Sequence, residues 1–140
     1  MRQDFYRSYR QAEILSADPL DLVRLLYREA IARIVEIREC LRRRDIAARA
    51  AAVSRVTAII GELLLSLDRE RGGDIAANLV ELYDYMLRRI NEGNFRQTDE
   101  PFAEVEDLLR TLTEAWEQCG RGESAVEEEA ELYTPVSCAG

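Results

Sequence analysis

Residues 67–94 read LDRERGGDIAANLVELYDYMLRRINEGN, and this stretch decides the fold. Gly72 and Gly73 predict a break, because glycine takes positive φ without steric cost and ends helices cleanly. Asp74 follows the break as a good N-cap. The apolar residues after it recur every three or four positions, as on one face of a helix: Ile75, Leu79, Leu82, Met86 and Ile90. The stretch therefore predicts a helical hairpin whose later helix runs from Asp74 to about Glu92 and ends at Gly93-Asn94.

The same periodicity predicts two helices before this hairpin turn. The first uses Asp18 as its N-cap and Pro19 in its first turn, and it runs to about Arg43. The second runs from about Asp45 to Leu67. Gly61 lies inside this second helix, where glycine costs about 1 kcal/mol relative to alanine. We expect close packing against a neighbouring helix to explain it.

A fourth helix is predicted to begin near Thr98 or Asp99, because Pro101 fits only in a first turn. Its apolar pattern ends at Gly120. Short connections between helices favour antiparallel neighbours. The predicted fold class is therefore all-α, an antiparallel four-helix bundle over residues 18–120. Residues 1–17 are predicted to form an N-terminal cap segment, and residues 121–140 a disordered acidic C-terminal tail.

Charge is distributed unevenly along the 140 residues, whose formal net charge is −8. Residues 122–140 contain five glutamates and no basic residue, which gives −5, whereas residues 1–121 contain 19 arginines and 22 acids, which gives −3. A nearly balanced body lacks the basic face that nucleic-acid binding needs. The one basic cluster, Arg42-Arg43-Arg44, is interpreted as a helix C-terminus, where the macrodipole favours cations.

The residue types present exclude several catalytic and metal chemistries. The chain has no histidine and no lysine, so a histidine triad, a Glu-x-x-His di-iron site and a P-loop are all impossible. Three scattered cysteines suit neither a disulfide framework nor a metal site. We expect no enzymatic activity, no cofactor and no metal. A carboxylate-based enzyme is the weakest alternative.

Composition also predicts where the protein works. No apolar run approaches the roughly 20 residues that cross a membrane, so we expect no membrane insertion. The first ten residues lack the apolar core of a signal peptide. A cytoplasmic protein with reduced thiols is the expectation. The sequence is compatible with either a monomer or a weak dimer.

Both central helices carry a second apolar stripe beside the first. It comprises Ala52, Val56, Ile59 and Leu63 in the second predicted helix, and Ala76, Val80, Tyr83, Leu87 and Ile90 in the third. Wide apolar arcs have two interpretations: a deep core, or an exposed groove that accepts a partner helix.

Several motifs, taken in order, resemble one known family. The central string LD-x-E-x-GG-x-x-A-x-NL-x-x-LYDYM-x-x-R ends at Arg89. It is preceded by Tyr9-x-Gln11 and by Leu25-Leu26-Tyr27, and followed by Ala115-Trp116. Together these resemble the flagellar secretion chaperone family (FliS).

This resemblance implies a cytoplasmic, non-enzymatic export chaperone. Such a protein binds the disordered C-terminal segment of flagellin, prevents premature polymerisation, and delivers flagellin to the flagellar type III export gate. The alternative is a regulatory helical binding module for another flagellar protein, such as an anti-sigma factor. Tyr6 and Tyr9 match the family's N-terminal cap over the client site. The other client contacts predicted are Val56, Ile59, Leu63, Leu79 and Tyr83.

Overall fold

Four helices make up the part of the chain that the structure, a computed structural model, describes: residues 19–119. They are α1 (Pro19–Arg43), α2 (Ile46–Ser66), α3 (Arg69–Arg96) and α4 (Glu100–Cys119). Each helix packs against two others, so that α1 touches α2 and α4, and α3 touches the same pair. Residues 19–119 hold no β-strand. The predicted all-α, antiparallel four-helix bundle is confirmed.

The core runs the length of the bundle, with every helix contributing large side chains. Its fully buried members include Tyr27, Ile34, Ile59, Leu63, Tyr83, Met86, Phe102 and Leu109. Burying an aliphatic or aromatic side chain of this size stabilises the fold by roughly 1.5–3 kcal/mol. Packing between helices is therefore the main source of stability, as expected for helices whose propensity alone is insufficient.

Local signals place several helix ends where the sequence predicts them. The Asp45 side chain accepts a hydrogen bond from the Ala48 amide at 3.1 Å, which caps α2. Pro101 lies in the first turn of α4, where its missing N–H costs nothing. Arg42 and Arg43 occupy the last turn of α1, and Arg44 leaves the helix with a φ of 56°.

The beginning of α3 differs from the prediction. A helical turn over Arg69–Gly72 precedes the break, because the Asp68 side chain accepts a hydrogen bond from the Arg71 amide at 3.0 Å and caps it. The break itself is at Gly73 alone, with φ 52° and ψ −131°, a conformation that only glycine adopts readily. Asp74 follows it, and its role as an N-cap stays a prediction.

The predicted end of α3 at Gly93-Asn94 is wrong, because the helix continues to Arg96. Gln97 ends it in the left-handed conformation and donates its backbone N–H to the Gly93 carbonyl. Gly93 serves packing instead: a Cβ there would lie 2.7 Å from Cε2 of Phe102. The expectation that Gly61 packs closely is also wrong, since a Cβ there would meet nothing within 4 Å.

Three predictions lie outside the described residues. They are the N-terminal cap segment 1–17 with Asp18 as N-cap, the end of the last helix at Gly120, and the acidic tail 121–140. Across residues 19–119 no helix combines the length and apolarity needed to cross a membrane. The same residues include no cluster of three or more potential metal ligands.

Candidate functional site

The predicted client-binding residues of α2 and α3 come together inside the bundle. Val56, Ile59, Leu63 and Tyr83 have no exposed surface, and Leu79 is 7% exposed. All five belong to one core cluster. Of the two interpretations of the second stripe, this structure corresponds to the deep core. Contact of these residues with a client stays a prediction. Tyr6 and Tyr9 lie outside the described residues.

Tyr83 also belongs to an aromatic cluster that joins three helices. Its hydroxyl shares a hydrogen bond with the hydroxyl of Tyr27 in α1. The Tyr27 ring lies 6.5 Å, centroid to centroid, from both the Tyr83 ring and the Trp116 ring of α4. Tilted aromatic pairs at this distance add about 0.5–1.5 kcal/mol beyond area burial. Tyr83 is thus held by packing and by a polar contact.

The surface of α2 differs from the surfaces of the other helices in its charge. Only Arg49, Arg55 and Glu62 are charged among its 21 residues, whereas α1 carries ten charged residues in 25 and α4 carries seven in 20. Arg49 is itself buried. Since a bundle helix normally turns its charged side to water, the scarcity on α2 marks an unusual exposed surface.

Small and apolar residues form the side of α2 that points away from the core. Leu65 is 81% exposed there, and Gly61, one turn earlier, leaves open space beside the backbone. Ala47, Ala51 and Ser54 are exposed as well, whereas Ala58, between Ser54 and Gly61, is only 4% exposed. We call the accessible residues of this side the outer face of α2: Ala47, Ala51, Ser54, Gly61 and Leu65.

A half-buried apolar seam lies between the outer face of α2 and helix α3. Arg49 Nε donates to Asn94 Oδ1 at 3.1 Å, which identifies the sides of α2 and α3 that face each other. By helical spacing Leu64 lies on the Arg49 side of α2, and Val80 and Leu87 lie on the Asn94 side of α3. All three are partly buried and pack against the core. We call them the α2–α3 seam.

Ion pairs bind the other helices together. Arg38 of α1 donates from Nε and NH2 to the two Asp99 carboxylate oxygens at 2.8 and 2.9 Å, and from NH1 to Glu106 of α4 at 3.1 Å. The hydrogen bond from Arg38 is the main reason why the pKa of Asp99 is lowered. Bidentate pairs of this kind fix geometry as well as adding energy.

Glu104 makes the corresponding link between α3 and α4. It accepts hydrogen bonds from the Tyr85 hydroxyl at 2.6 Å and from Arg89 Nε at 2.8 Å. These two bonds lower the pKa of Glu104, and the same carboxylate raises the pKa of Tyr85. Ionic contacts therefore occupy the α1–α4 and α3–α4 boundaries, on the side of the bundle opposite the outer face of α2.

Comparison with known proteins decides the family. The profile of the family described as flagellar protein FliS matches residues 1–123. The chain belongs to the FliS family. It is 40% identical over 109 residues to the flagellar secretion chaperone FliS of Salmonella typhimurium, an alignment that covers 77% of this chain and 81% of the relative.

More distant FliS proteins extend the similarity. The flagellar secretion chaperone FliSB of Pseudomonas aeruginosa is 33% identical over 107 residues, covering 76% of this chain and 85% of the relative. The FliS protein of Bacillus subtilis is 27% identical over 121 residues, covering 86% and 90%. The predicted family is confirmed. Membership supports the role of a flagellar secretion chaperone.

The outer face of α2 is the candidate surface that the sequence analysis missed. The apolar stripes directed attention to Val56, Ile59 and Leu63, which form the buried side of the helix. The sequence signal for the outer face of α2 is an absence of charge: between Arg55 and Ser66 only Glu62 is charged. In an amphipathic bundle helix, missing charges on the outward positions are as informative as apolar residues on the inward ones.

Proposed function

We propose that this FliS protein is an export chaperone for flagellin. It binds the disordered C-terminal segment of flagellin in the cytoplasm, prevents premature polymerisation, and delivers flagellin to the flagellar type III export apparatus. The partners are accordingly flagellin and the export gate, and neither nucleic acid nor a membrane takes part.

The observation that carries the proposal is the uncharged outer face of α2 in a member of a secretion-chaperone family. A peptide that folds into an amphipathic helix needs an apolar surface along which its own apolar side can lie. Small side chains at Ala47, Ala51 and Gly61 allow a second helix backbone to approach closely, and exposed Leu65 offers an apolar anchor. Charged α1, α3 and α4 offer no comparable surface among residues 19–119.

In this proposal, the client contacts predicted from sequence on α2 and α3 lie beneath the surface that the client first meets. Val56, Ile59, Leu63, Leu79 and Tyr83 form the layer beneath the outer face of α2 and the α2–α3 seam. A client side chain reaches that layer when Leu64, Val80 and Leu87 of the seam move apart. Tyr6 and Tyr9 belong to the proposed N-terminal cap that gives way to the client.

The energetics suit a chaperone that must release its client. A disordered segment that becomes ordered on binding loses chain entropy, typically 2–5 kcal/mol or more of the gross interaction energy. Apolar contact along a helix about 30 Å long offsets this loss. The remaining free energy is modest, so binding stays reversible and the export apparatus can take over the client.

The test measures binding of the full chain to flagellin and to flagellin without its C-terminal segment. We expect a one-to-one complex with the first by size-exclusion chromatography and calorimetry, and none with the second. Ala51→Glu and Leu65→Glu together should weaken binding about tenfold or more, equivalent to about 1.4 kcal/mol per factor of ten. Both positions are exposed, so circular dichroism and unfolding midpoints should stay unchanged.

The matched control is Ala32→Glu with Val35→Glu, which adds the same two negative charges at exposed positions of α1. It should change the flagellin affinity less than twofold. Equal binding of full-length and truncated flagellin would overturn the proposed client segment. Tight binding to a flagellar anti-sigma factor with no flagellin complex would instead establish the regulatory alternative.

A further inference from the structure

Basic residues concentrate at the end of the bundle where α1 turns into α2. Residues 38–49 contain five arginines and two acids, within a chain of net charge −8. Arg38 and Arg42 are paired with Asp99 and Glu39. Arg43 and Arg44 are exposed at the turn. This end is therefore locally positive in an acidic protein.

Two large apolar side chains are exposed at the same end. Ile46 begins α2 and is 64% exposed, and Phe95 lies near the end of α3 and is 88% exposed. The hydrogen bond from Arg49 to Asn94 joins the helix turns that carry them. Arg96, in the same turn as Phe95, is paired with Glu92 at 3.4 Å. We call this surface the basic end patch: Arg43, Arg44, Ile46, Arg49 and Phe95.

Arg49 adds to the positive character of the patch although it is only 8% exposed. Nε donates to Asn94 Oδ1 at 3.1 Å and NH1 donates to Gln97 Oε1 at 3.5 Å. Both acceptors are neutral amides, so these bonds hold the guanidinium without cancelling its charge. A buried guanidinium with neutral partners attracts a nearby anion more strongly than a solvent-exposed guanidinium does.

The C-terminal segment of the same chain has complementary chemistry. Its sequence from Glu123 to Glu131 carries all five glutamates of the tail and no basic residue, and Leu132, Tyr133 and Val136 follow immediately. Acids followed by apolar side chains match arginines beside exposed Ile46 and Phe95. We propose that residues 129–136, in which Glu129 and Glu131 stand beside these apolar side chains, dock on the basic end patch of their own molecule. This contact goes beyond the disordered tail that composition predicts.

The tail is long enough for this contact. Helix α4 begins at the patch end, where Asp99 pairs with Arg38, and its 20 residues run about 30 Å towards the opposite end. Glu129 is ten residues beyond Cys119, and ten extended residues span up to about 33–36 Å. The tail can therefore reach the patch from Glu129 onwards, whereas Glu123, four residues beyond Cys119, spans at most about 14 Å and cannot. A tethered segment also has a millimolar effective concentration at its site, so weak contacts suffice.

The experiment uses the full chain with a nitroxide spin label on Cys138. Cys119→Ser removes the other thiol near the tail, and Cys40 is 1% exposed and protected from labelling. We expect backbone amide resonances of residues 43–49 and 94–97 to lose most of their intensity through paramagnetic broadening. Resonances around residues 64–75, at the opposite end, should keep theirs. Raising the salt concentration from about 50 mM to about 500 mM should restore the lost intensity, because screening weakens the charge contacts.

Charge reversal separates docking from chance proximity. Arg43→Glu with Arg44→Glu should abolish the broadening at the patch. The control Arg55→Glu with Arg69→Glu makes the same charge change at exposed positions away from it and should leave the broadening intact. Broadening that is uniform, or that survives Arg43→Glu with Arg44→Glu, would overturn the proposal. So would broadening that appears only between a labelled molecule and a second, isotope-labelled one.

Discussion

At the scale of single residues, two glycines inside helices have opposite environments. Gly93 lies against the Phe102 ring, so that a Cβ would be 2.7 Å from Cε2, whereas Gly61 faces open space. The sequence predicted a closely packed Gly61 inside a helix and a terminating Gly93, because the neighbour that faces each position is set by the arrangement of the helices and not by the local pattern. Asp45 and Pro101 were predictable, since capping and first-turn preferences act within one turn of the chain.

Alanine substitutions at these glycines should change stability in opposite directions. Gly93→Ala gains about 1 kcal/mol of helix propensity but incurs about 1–3 kcal/mol of overpacking, so we expect a net loss of about 1 kcal/mol. Gly61→Ala gains the propensity without a clash and should stabilise the fold by about 1 kcal/mol. Urea unfolding followed by circular dichroism measures both. Equal effects of the two substitutions would contradict the packing described around Phe102.

At the scale of helices, the ionic contact between α1 and α4 couples the fold to acidity. Arg38 lowers the pKa of Asp99 below its ordinary value of 3.8. Burial acts to raise the pKa of Glu106, but hydrogen bonds from Arg110 and Arg38 outweigh burial and lower it. A carboxyl group whose pKa is lower in the folded state stabilises the fold above its unfolded pKa. That contribution is lost as pH falls through the folded pKa.

Arg38→Gln should therefore lower the urea midpoint at neutral pH and reduce the further loss on acidification. Because both carboxylates are partly solvated, the effect is moderated by screening. The midpoints of the variant and the parent chain should converge once the pH falls below the lowered pKa values of Asp99 and Glu106, where both carboxyl groups are protonated in the folded parent as well. Arg55→Gln, which removes an exposed charge from α2, provides the control and should keep the parent's pH dependence. Parallel curves for Arg38→Gln and the parent would refute the role assigned to this ion pair.

Helix boundaries illustrate what sequence patterns determine and what they leave to packing. The double glycine correctly indicated a break, but Asp68 starts a helical turn before it, and the break is confined to Gly73. The pattern predicted Gly93 as a terminator, yet the helix continues to Arg96, and the missing side chain of Gly93 makes room for the Phe102 ring. Periodicity thus predicted four helices and their order, whereas the exact ends depended on contacts with distant residues.

At the scale of the whole molecule, charge is segregated around the bundle. Ion pairs occupy the boundaries of α4 with α1 and α3, and the outer face of α2 has almost none. The five predicted client contacts on α2 and α3 lie in the core beneath that face. Sequence periodicity predicted client contacts on α2 and α3 but could not tell that these side chains are buried, because burial depends on how the helices are arranged around a common axis.

This segregation leads to a thermodynamic prediction for the complex with the C-terminal segment of flagellin. Contact along an uncharged face should give a negative heat-capacity change and a dissociation constant that varies little with salt. We expect less than a threefold change between about 50 mM and 500 mM salt, a range over which the Debye length falls from more than 10 Å to less than 8 Å. Calorimetry at several temperatures and salt concentrations measures both quantities. The Arg43→Glu with Arg44→Glu variant serves as the control, because it lies outside the outer face of α2 and should leave the flagellin affinity unchanged. A steep loss of affinity with salt would instead place the client on the ion-paired faces of α1, α3 and α4.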